Sequence, residues 1–198
     1  AEVRADERQS GNLKIRDHVG KAWGGHGNGD ARIKGGKIIG TRNGQKLTNE
    51  EIYGRISVLK WDYLVYHTRI NSMGGRGDAN CHPFVQDNDC LAMNGTEHSL
   101  RTMSDAFNRT DTECIFKNMV GLGLEQTTRA LVEFSSVFVG CAGGKPFVVK
   151  AGGTLHRWNV GGKSFHASTF PAGVKNVKDL PAGYIGEDGK ENWQFVQK

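Results

Sequence analysis

Pairs of adjacent glycines separate short apolar segments in the second half of the chain, and they constrain the fold more than any other feature. The pairs are Gly143-Gly144, Gly152-Gly153 and Gly161-Gly162. Glycine adopts the positive φ angles that tight hairpin turns require. The segments between the pairs are rich in apolar and β-branched residues, which is typical of strands. The pattern predicts an antiparallel meander with strands at residues 136–142, 146–150, 154–158 and 163–168.

The first half of the chain carries more scattered strand signals. Gly35-Gly36 predicts the turn of a hairpin over residues 32–41. Further strands are predicted at residues 12–16, 63–67 and 90–93. Asn94-Gly95 closes the last of these strands, and Asp188-Gly189 predicts a final hairpin near the end of the sequence.

Helix signals concentrate in the middle of the chain. Two capping boxes, Thr48-Asn49-Glu50-Glu51 and Thr110-Asp111-Thr112-Glu113, each predict a helix start. Residues 98–107 and 125–134 carry apolar side chains at helical spacing. The apolar side chains of these helices include Leu100, Met103, Phe107, Ile115, Phe116 and Val120, and Leu131 and Phe134 are expected to face inward. Helices segregated from antiparallel strands indicate the α+β class, and we predict one domain over residues 1–198.

Composition excludes several classes of protein. No run of about 18 apolar residues occurs, so no membrane-spanning helix is predicted. The net charge is +5, but lysine and arginine are spread along the chain, so we do not expect a nucleic-acid partner. Neither cysteines nor histidines have the spacing of a metal site, and we expect no cofactor. Buried free thiols in a reducing compartment are expected at Cys81, Cys90, Cys114 and Cys141.

Polar residues cluster in four stretches that follow predicted strands or open a helix. The stretches are residues 67–75, 80–84, 93–96 and 109–113. Arg69, just past a buried strand, can hold a carboxylate through paired hydrogen bonds. Asn94 and Gly95 can offer a side-chain amide and a backbone N–H to one oxygen, as an oxyanion hole requires. Asp111 can accept from an ammonium group, although a helix N-cap role explains it equally well. Together these groups suit a free α-amino acid.

The four stretches resemble the signature of class II glutamine amidotransferases, whose glutaminase domain is an N-terminal nucleophile hydrolase. The matching motifs, in the order of that family, are His67-Thr68-Arg69, Asn80-Cys81-His82-Pro83, Asn94-Gly95 and Asp111-Thr112-Glu113. Arg8-Gln9-Ser10-Gly11 and Phe165-His166-Ala167-Ser168 are similar to two further segments of the family. The resemblance spans about residues 5–175. It implies an αββα sandwich of two antiparallel sheets between helix layers.

The resemblance also implies roles for individual residues. Arg69 would bind the glutamine carboxylate, with Ser72 assisting, and Asp111 would bind the α-amino group. Asn94 and Gly95 would form the oxyanion hole. His82 would be structural and order the loop before its strand. The implied reaction is hydrolysis of the glutamine side-chain amide, with ammonia passed to a synthase partner.

The chain also departs from the family pattern. The family nucleophile is an N-terminal cysteine whose own α-amine is the base, whereas residue 1 here is alanine. The resemblance implies that this cysteine, with the first strand and first helix, lies outside residues 1–198. Ile70 and Met73 replace polar or aromatic residues.

Two alternatives to the glutaminase therefore stay open. One is a catalytically inactive family member, a pseudoenzyme that serves as a structural or interaction subunit of an oligomer or larger assembly such as a viral particle. The other is a related amidohydrolase that cleaves a different amide. The expected location is the cytoplasm, or the viral particle for the inactive subunit.

Overall fold

Antiparallel sheets dominate the part of the protein that the computed structural model describes, which is residues 26–45, 61–75, 77–160, 163–170 and 173–187. Several sequence predictions lie outside those residues. They are the Arg8-Gln9-Ser10-Gly11 segment, the strand at residues 12–16, the helix opened by Thr48-Asn49-Glu50-Glu51, the turn at Gly161-Gly162 and the hairpin at Asp188-Gly189.

The described strands lie in three antiparallel sheets. In chain order they are β1 (Asn28–Lys34), β2 (Lys37–Asn43), β3 (Tyr63–Thr68), β4 (Phe84–Gln86), β5 (Asp89–Asn94), β6 (Val137–Ala142), β7 (Lys145–Lys150), β8 (His156–Val160), β9 (Lys163–Ala167), β10 (Lys178–Asp179) and β11 (Tyr184–Glu187). One sheet has the strand order β11-β7-β6-β5-β4, a second has β2-β1-β3, and a small third has β10-β8-β9. The helices are α1 (Arg101–Phe107), α2 (Asp111–Met119) and α3 (Leu124–Leu131).

The five-stranded sheet is buried on both faces. On one face Leu91, Met93 and Phe138 pack against apolar side chains of α2 and α3. On the other face the alternate residues Cys90 and Ala92 pack with β1 and β3 of the three-stranded sheet. Since successive side chains of a strand point to opposite faces, double burial explains why β5 reads as a continuous apolar run. The layering is helix, sheet, sheet, which confirms the α+β class and is consistent with an N-terminal nucleophile sandwich.

The structure confirms two of the glycine turns and contradicts a third. Gly35-Gly36 joins β1 to β2, and Gly143-Gly144 joins β6 to β7, with positive φ at all four residues. Gly152-Gly153 is not a hairpin turn, because β7 and β8 belong to different sheets. At Gly152 a Cβ atom would lie 2.1 Å from the carbonyl oxygen of Ser135. This glycine therefore permits a close backbone approach as the chain leaves the five-stranded sheet.

The described helices lie close to where the sequence predicts them. Thr110 caps α2 by accepting a hydrogen bond from the Glu113 N–H at 3.0 Å, as the capping box predicts. Met103 and Phe107 of α1 lie at helical spacing but do not face the core, since they are 42% and 61% exposed. The only buried residue of α1 is Ser104, so this short helix lies on the surface. Among the described residues, no helix is long and apolar enough to span a membrane.

Candidate functional site

One small pocket, with a cavity volume of about 60 Å³, opens where β3 and β5 end and α2 begins. All of the site residues that the sequence predicts line this pocket, namely Arg69, Ser72, His82, Asn94, Gly95 and Asp111. We name residues 69–75 the arginine wall, and residues 94–97 with 110–111 the aspartate wall.

Arg69 is the centre of the arginine wall and is only 3% exposed. Its Nη1 donates to the Gly75 carbonyl oxygen at 2.8 Å. Its Nη2 donates to Asn71 Oδ1 at 2.8 Å and to the Met73 carbonyl oxygen at 2.5 Å. Burial lowers the pKa of the guanidinium, while Cys81 and Asp111 act in the opposite direction. The side chain thus holds its own loop in place, and these three hydrogen bonds use neither the Nε–H nor the second Nη1–H.

The arginine wall is also fixed from outside. The Asn80 side-chain amide donates to the Gly74 carbonyl oxygen, and the Asn71 N–H donates to Nδ1 of His26 at 2.9 Å. Gly74 has φ +76°, and a Cβ there would come within 2.8 Å of Cγ2 of Thr110. The two walls therefore touch at Gly74 and Thr110, and a larger residue at 74 would separate them.

Three residues of the arginine wall contribute side chains of different character to the lining. Ser72 is exposed and lines the pocket. Met73 also lines the pocket but is only 7% exposed, whereas Ile70, in the same lining, is 52% exposed. The two apolar departures noted in the sequence therefore both belong to the pocket lining.

Asn94 ends β5, Gly95 follows it, and the two form the first part of the aspartate wall. The Asn94 side chain is exposed and has no hydrogen-bond partner among the residues that the structure describes. Gly95 has φ +143°, and a Cβ atom there would lie 2.3 Å from Oγ of Ser136. Glycine is therefore required at this position by both backbone conformation and space. The side-chain amide of Asn94 is left available to a ligand.

Asp111 is the first residue of α2 and is 3% exposed. Its carboxylate accepts from the Glu97 N–H at 2.8 Å and from the Thr112 N–H at 2.9 Å. The N-cap of α2 is Thr110, so the N-cap explanation for Asp111 is wrong. Burial raises the pKa of the carboxyl group, and these backbone hydrogen bonds oppose that shift. A carboxylate has about four acceptor positions, so Asp111 can still accept from an ammonium group.

His82 contacts a second histidine, His67, with the two rings tilted by 33°, and both line the pocket. Their ring centroids are 4.4 Å apart, and His82 Nδ1 accepts from the Met93 N–H at 3.5 Å. Burial lowers the pKa of His67 to about 4, and burial together with the neighbouring His67 lowers the pKa of His82 well below its ordinary value. Both rings are therefore neutral at physiological pH. The structural role of His82 stays a prediction.

The described cysteines are all free and buried, as expected. The Cys81 thiol donates to the carbonyl oxygens of Asn43 and Gly77, each at 3.4 Å. Burial raises the pKa of Cys81 and of Cys90. The pocket lining, as far as the structure describes it, contains no thiol. In the same part of the chain no group of His, Cys, Asp and Glu is arranged to hold a metal ion.

Sequence reasoning assigned no role to two residues of this region, the half-buried His67 and the buried Glu97. His67 lines the pocket directly before Thr68 and Arg69. Its position at the end of an apolar strand was the available signal. Glu97 is 4% exposed although it follows an exposed turn. Nothing in the sequence around Glu97 indicates burial, because its partner Ser135 is distant along the chain.

Comparison with known proteins identifies the fold. No family model matches the chain, and no curated protein matches its sequence. Among solved structures, it is similar to the glutamine phosphoribosylpyrophosphate amidotransferase from B. subtilis, complexed with ADP and GMP, with a TM-score of 0.61 and 19% identity. The match covers 89% of this chain and 42% of that one, so this chain spans less than half the length of the amidotransferase. The chain therefore has a glutamine-amidotransferase-like fold.

Proposed function

We propose that the pocket binds L-glutamine and that the protein hydrolyses its side-chain amide, releasing ammonia for a partner. One observation carries the proposal: Arg69 and Asp111 lie on the two walls of one pocket that is also lined by Asn94 and Gly95. A cation, an anion and a pair of N–H donors match the carboxylate, the ammonium group and the amide carbonyl of a single glutamine molecule.

Each group has a defined task in the proposed complex. The remaining donors of Arg69 bind the substrate carboxylate, with Ser72 beside them. Asp111 accepts from the α-ammonium group. The Asn94 amide and the Gly95 N–H bind the carbonyl oxygen and stabilise the negative charge that develops on it in the tetrahedral intermediate.

The proposed nucleophile is a cysteine outside residues 1–198, because no described thiol lines the pocket. Its thiolate attacks the amide carbon, and its α-amine receives the thiol proton and delivers it to the departing nitrogen, which leaves as ammonia. Water then cleaves the thioester and yields glutamate. The ammonia acceptor is a synthase partner, so we expect the protein to act in a complex.

The test combines binding with chemistry on the natural protein. N-terminal sequencing and intact mass establish the mature chain, and isothermal titration measures L-glutamine and D-glutamine. We expect L-glutamine to bind at least about tenfold more tightly, since only one enantiomer can satisfy both walls at once. Ammonia release from L-glutamine is measured on the same sample. Equal affinity for the two enantiomers would contradict the proposed recognition.

A catalytically inactive structural or interaction subunit is the second candidate. It is favoured by the lack of a thiol in the described pocket lining and by burial of all the described cysteines. This candidate predicts glutamine binding without ammonia release, or no binding, from a mature chain that lacks an N-terminal cysteine. Ammonia release from a chain that begins with cysteine would exclude it.

A further inference from the structure

Glu97 is a buried acid next to the pocket that has no part in the proposed mechanism. It lies two residues after Gly95 and is 4% exposed. Its backbone N–H donates to Oδ2 of Asp111 at 2.8 Å. The position of Glu97 therefore directly affects the orientation of the Asp111 carboxylate.

The Glu97 carboxylate is hydrogen-bonded to Ser135, in the segment before β6. Oε1 accepts from the Ser135 N–H at 2.9 Å, and Oγ of Ser135 lies 3.0 Å from Oε2. The next residue, Ser136, packs directly behind Gly95, with its Oγ 2.3 Å from the position of a Cβ there. Glu97 thus ties the turn that carries Gly95 to the surface against which Gly95 packs.

We propose that Glu97 is a positioning residue, which sets Asp111 and the Gly95 N–H at the spacing that the α-ammonium group and side-chain carbonyl of glutamine require. This inference rests on the proposed function. One residue joins the two halves of the aspartate wall, because its main chain holds Asp111 and its side chain holds the turn at Gly95. Loss of its carboxylate should disturb recognition of both substrate groups together.

The electrostatic environment supports the assignment. The Glu97 carboxylate adds to the burial that raises the pKa of Asp111. The Glu97 carboxylate thus opposes ionisation of Asp111, and a bound cation relieves that cost. The α-ammonium group of an amino acid is such a cation, so the arrangement favours a ligand with a positive charge at this wall.

The experiment compares Glu97→Ala and Glu97→Gln with the natural protein. Two analogues of glutamine separate the effect on recognition of its α-ammonium group from the effect on recognition of its side-chain amide. Glutaramic acid has no α-amine, and L-2-aminopentanoic acid has no side-chain amide. We expect Glu97→Ala to bind L-glutamine about tenfold or more weakly, because loss of one buried hydrogen-bonded contact can produce an effect of this size. The affinities of Glu97→Ala for both analogues should also fall, by a smaller factor than its affinity for L-glutamine. Glu97→Gln should restore affinity to within about threefold, since its side-chain amide oxygen still accepts from the Ser135 N–H.

Ser104→Ala is the matched control for general destabilisation. Ser104 is 1% exposed, lies in α1 and contacts Cys114 rather than the pocket. Its replacement should leave all three affinities unchanged. The inference is overturned if Glu97→Ala binds L-glutamine as tightly as the natural protein, if it weakens only one analogue, or if Ser104→Ala produces the same losses.

A second readout needs no ligand and separates failure of the inference from failure of the proposed function. Carbon-detected NMR titration of the free protein follows the Asp111 carboxyl group, and the amide shift of Gly95 is recorded in parallel. In Glu97→Gln the pKa of Asp111 should fall, because a neighbouring negative charge is removed. In Glu97→Ala the Gly95 amide should shift. If the natural protein does not bind glutamine, the proposed function fails. If neither NMR signal responds, the positioning role itself is wrong.

Discussion

In both walls of the pocket, buried charged side chains hydrogen-bond to backbone groups, but the charges of the two walls are opposite. Each wall includes irregular backbone at the end of a strand, β3 in the arginine wall and β5 in the aspartate wall, and its polar groups need partners. In the arginine wall one buried cation, Arg69, donates to backbone carbonyls of its own loop. In the aspartate wall two buried acids, Asp111 and Glu97, accept from backbone N–H groups. The difference places positive charge on one side of the pocket and negative charge on the other.

The same charged side chains that hold the two walls in place can also bind a ligand. An arginine has five N–H donors and a carboxylate about four acceptor positions. The local hydrogen bonds use only part of that capacity, and the remainder is directed by a side chain that is already fixed. Preorganised charges bind a zwitterion without the entropic cost of ordering the walls. The following predictions test whether the walls differ as described.

The largest expected effect comes from Arg69→Ala. It leaves the carbonyl oxygens of Met73 and Gly75 without their donor, and an unsatisfied buried group costs about 1–3 kcal/mol. We expect the free energy of unfolding to fall by about 3 kcal/mol or more and glutamine binding to be undetectable. Urea denaturation and calorimetry provide the measurements. Arg69→Lys keeps the charge but not the planar donor geometry, so it should recover less than half of the stability.

Asp111→Asn tests the opposite wall with a smaller perturbation. The amide oxygen still accepts from one backbone N–H, but the negative charge is lost. Removal of one partner from a buried charge pair costs about 2–5 kcal/mol of binding, so glutamine affinity should fall by at least about thirtyfold. In the natural protein affinity should fall as pH drops through the raised pKa of Asp111, because protonation removes the anion that accepts from the ammonium group. A flat pH profile would contradict this role.

Much of this arrangement could be predicted from sequence, because each wall begins at a local signal. The apolar run of β3 places Arg69 at a strand end, and the capping box at Thr110 places Asp111 in the first turn of a helix. The long-range contacts could not be predicted. The tie between Glu97 and Ser135 joins residues 38 positions apart. Likewise, the spacing of Met103 and Phe107 indicates a helix but not whether another layer covers it.

Gly95→Ala tests the steric basis of the aspartate wall. The substitution is strained at φ +143° and brings a Cβ 2.3 Å from Oγ of Ser136. We expect a loss of about 2–3 kcal/mol of unfolding free energy, as for other residues forced into a disfavoured, crowded conformation. Gly123→Ala is the matched control, since Gly123 has φ +77° in open space, and it should cost about 1 kcal/mol. Equal losses would show that backbone strain alone accounts for Gly95.

The histidine pair beneath the walls predicts acid sensitivity. The pKa of His67 is about 4 in the folded protein, below the ordinary value of about 6.5. The unfolded chain therefore binds a proton over that interval and the folded protein does not, so stability falls as pH drops from about 6.5 toward 4. We expect a loss of about 3 kcal/mol from this ring by pH 4, measured by urea denaturation. His67→Gln should flatten that part of the profile, and an unchanged profile would exclude His67 as its source.

The smallest effect is expected at α1, which lies between the two fixed ends of the aspartate wall. Phe107 is 61% exposed, and Ser104 is the only buried residue of this helix. Phe107→Ser should therefore change the free energy of unfolding by no more than about 0.5 kcal/mol, as is usual for surface substitutions. Glutamine affinity should not change, because Asp111 is fixed by Glu97 and Thr112 rather than by α1. A loss of unfolding free energy above about 1.5 kcal/mol would instead mean that another surface covers Phe107 in solution. In that case α1 would also help to hold the aspartate wall in place.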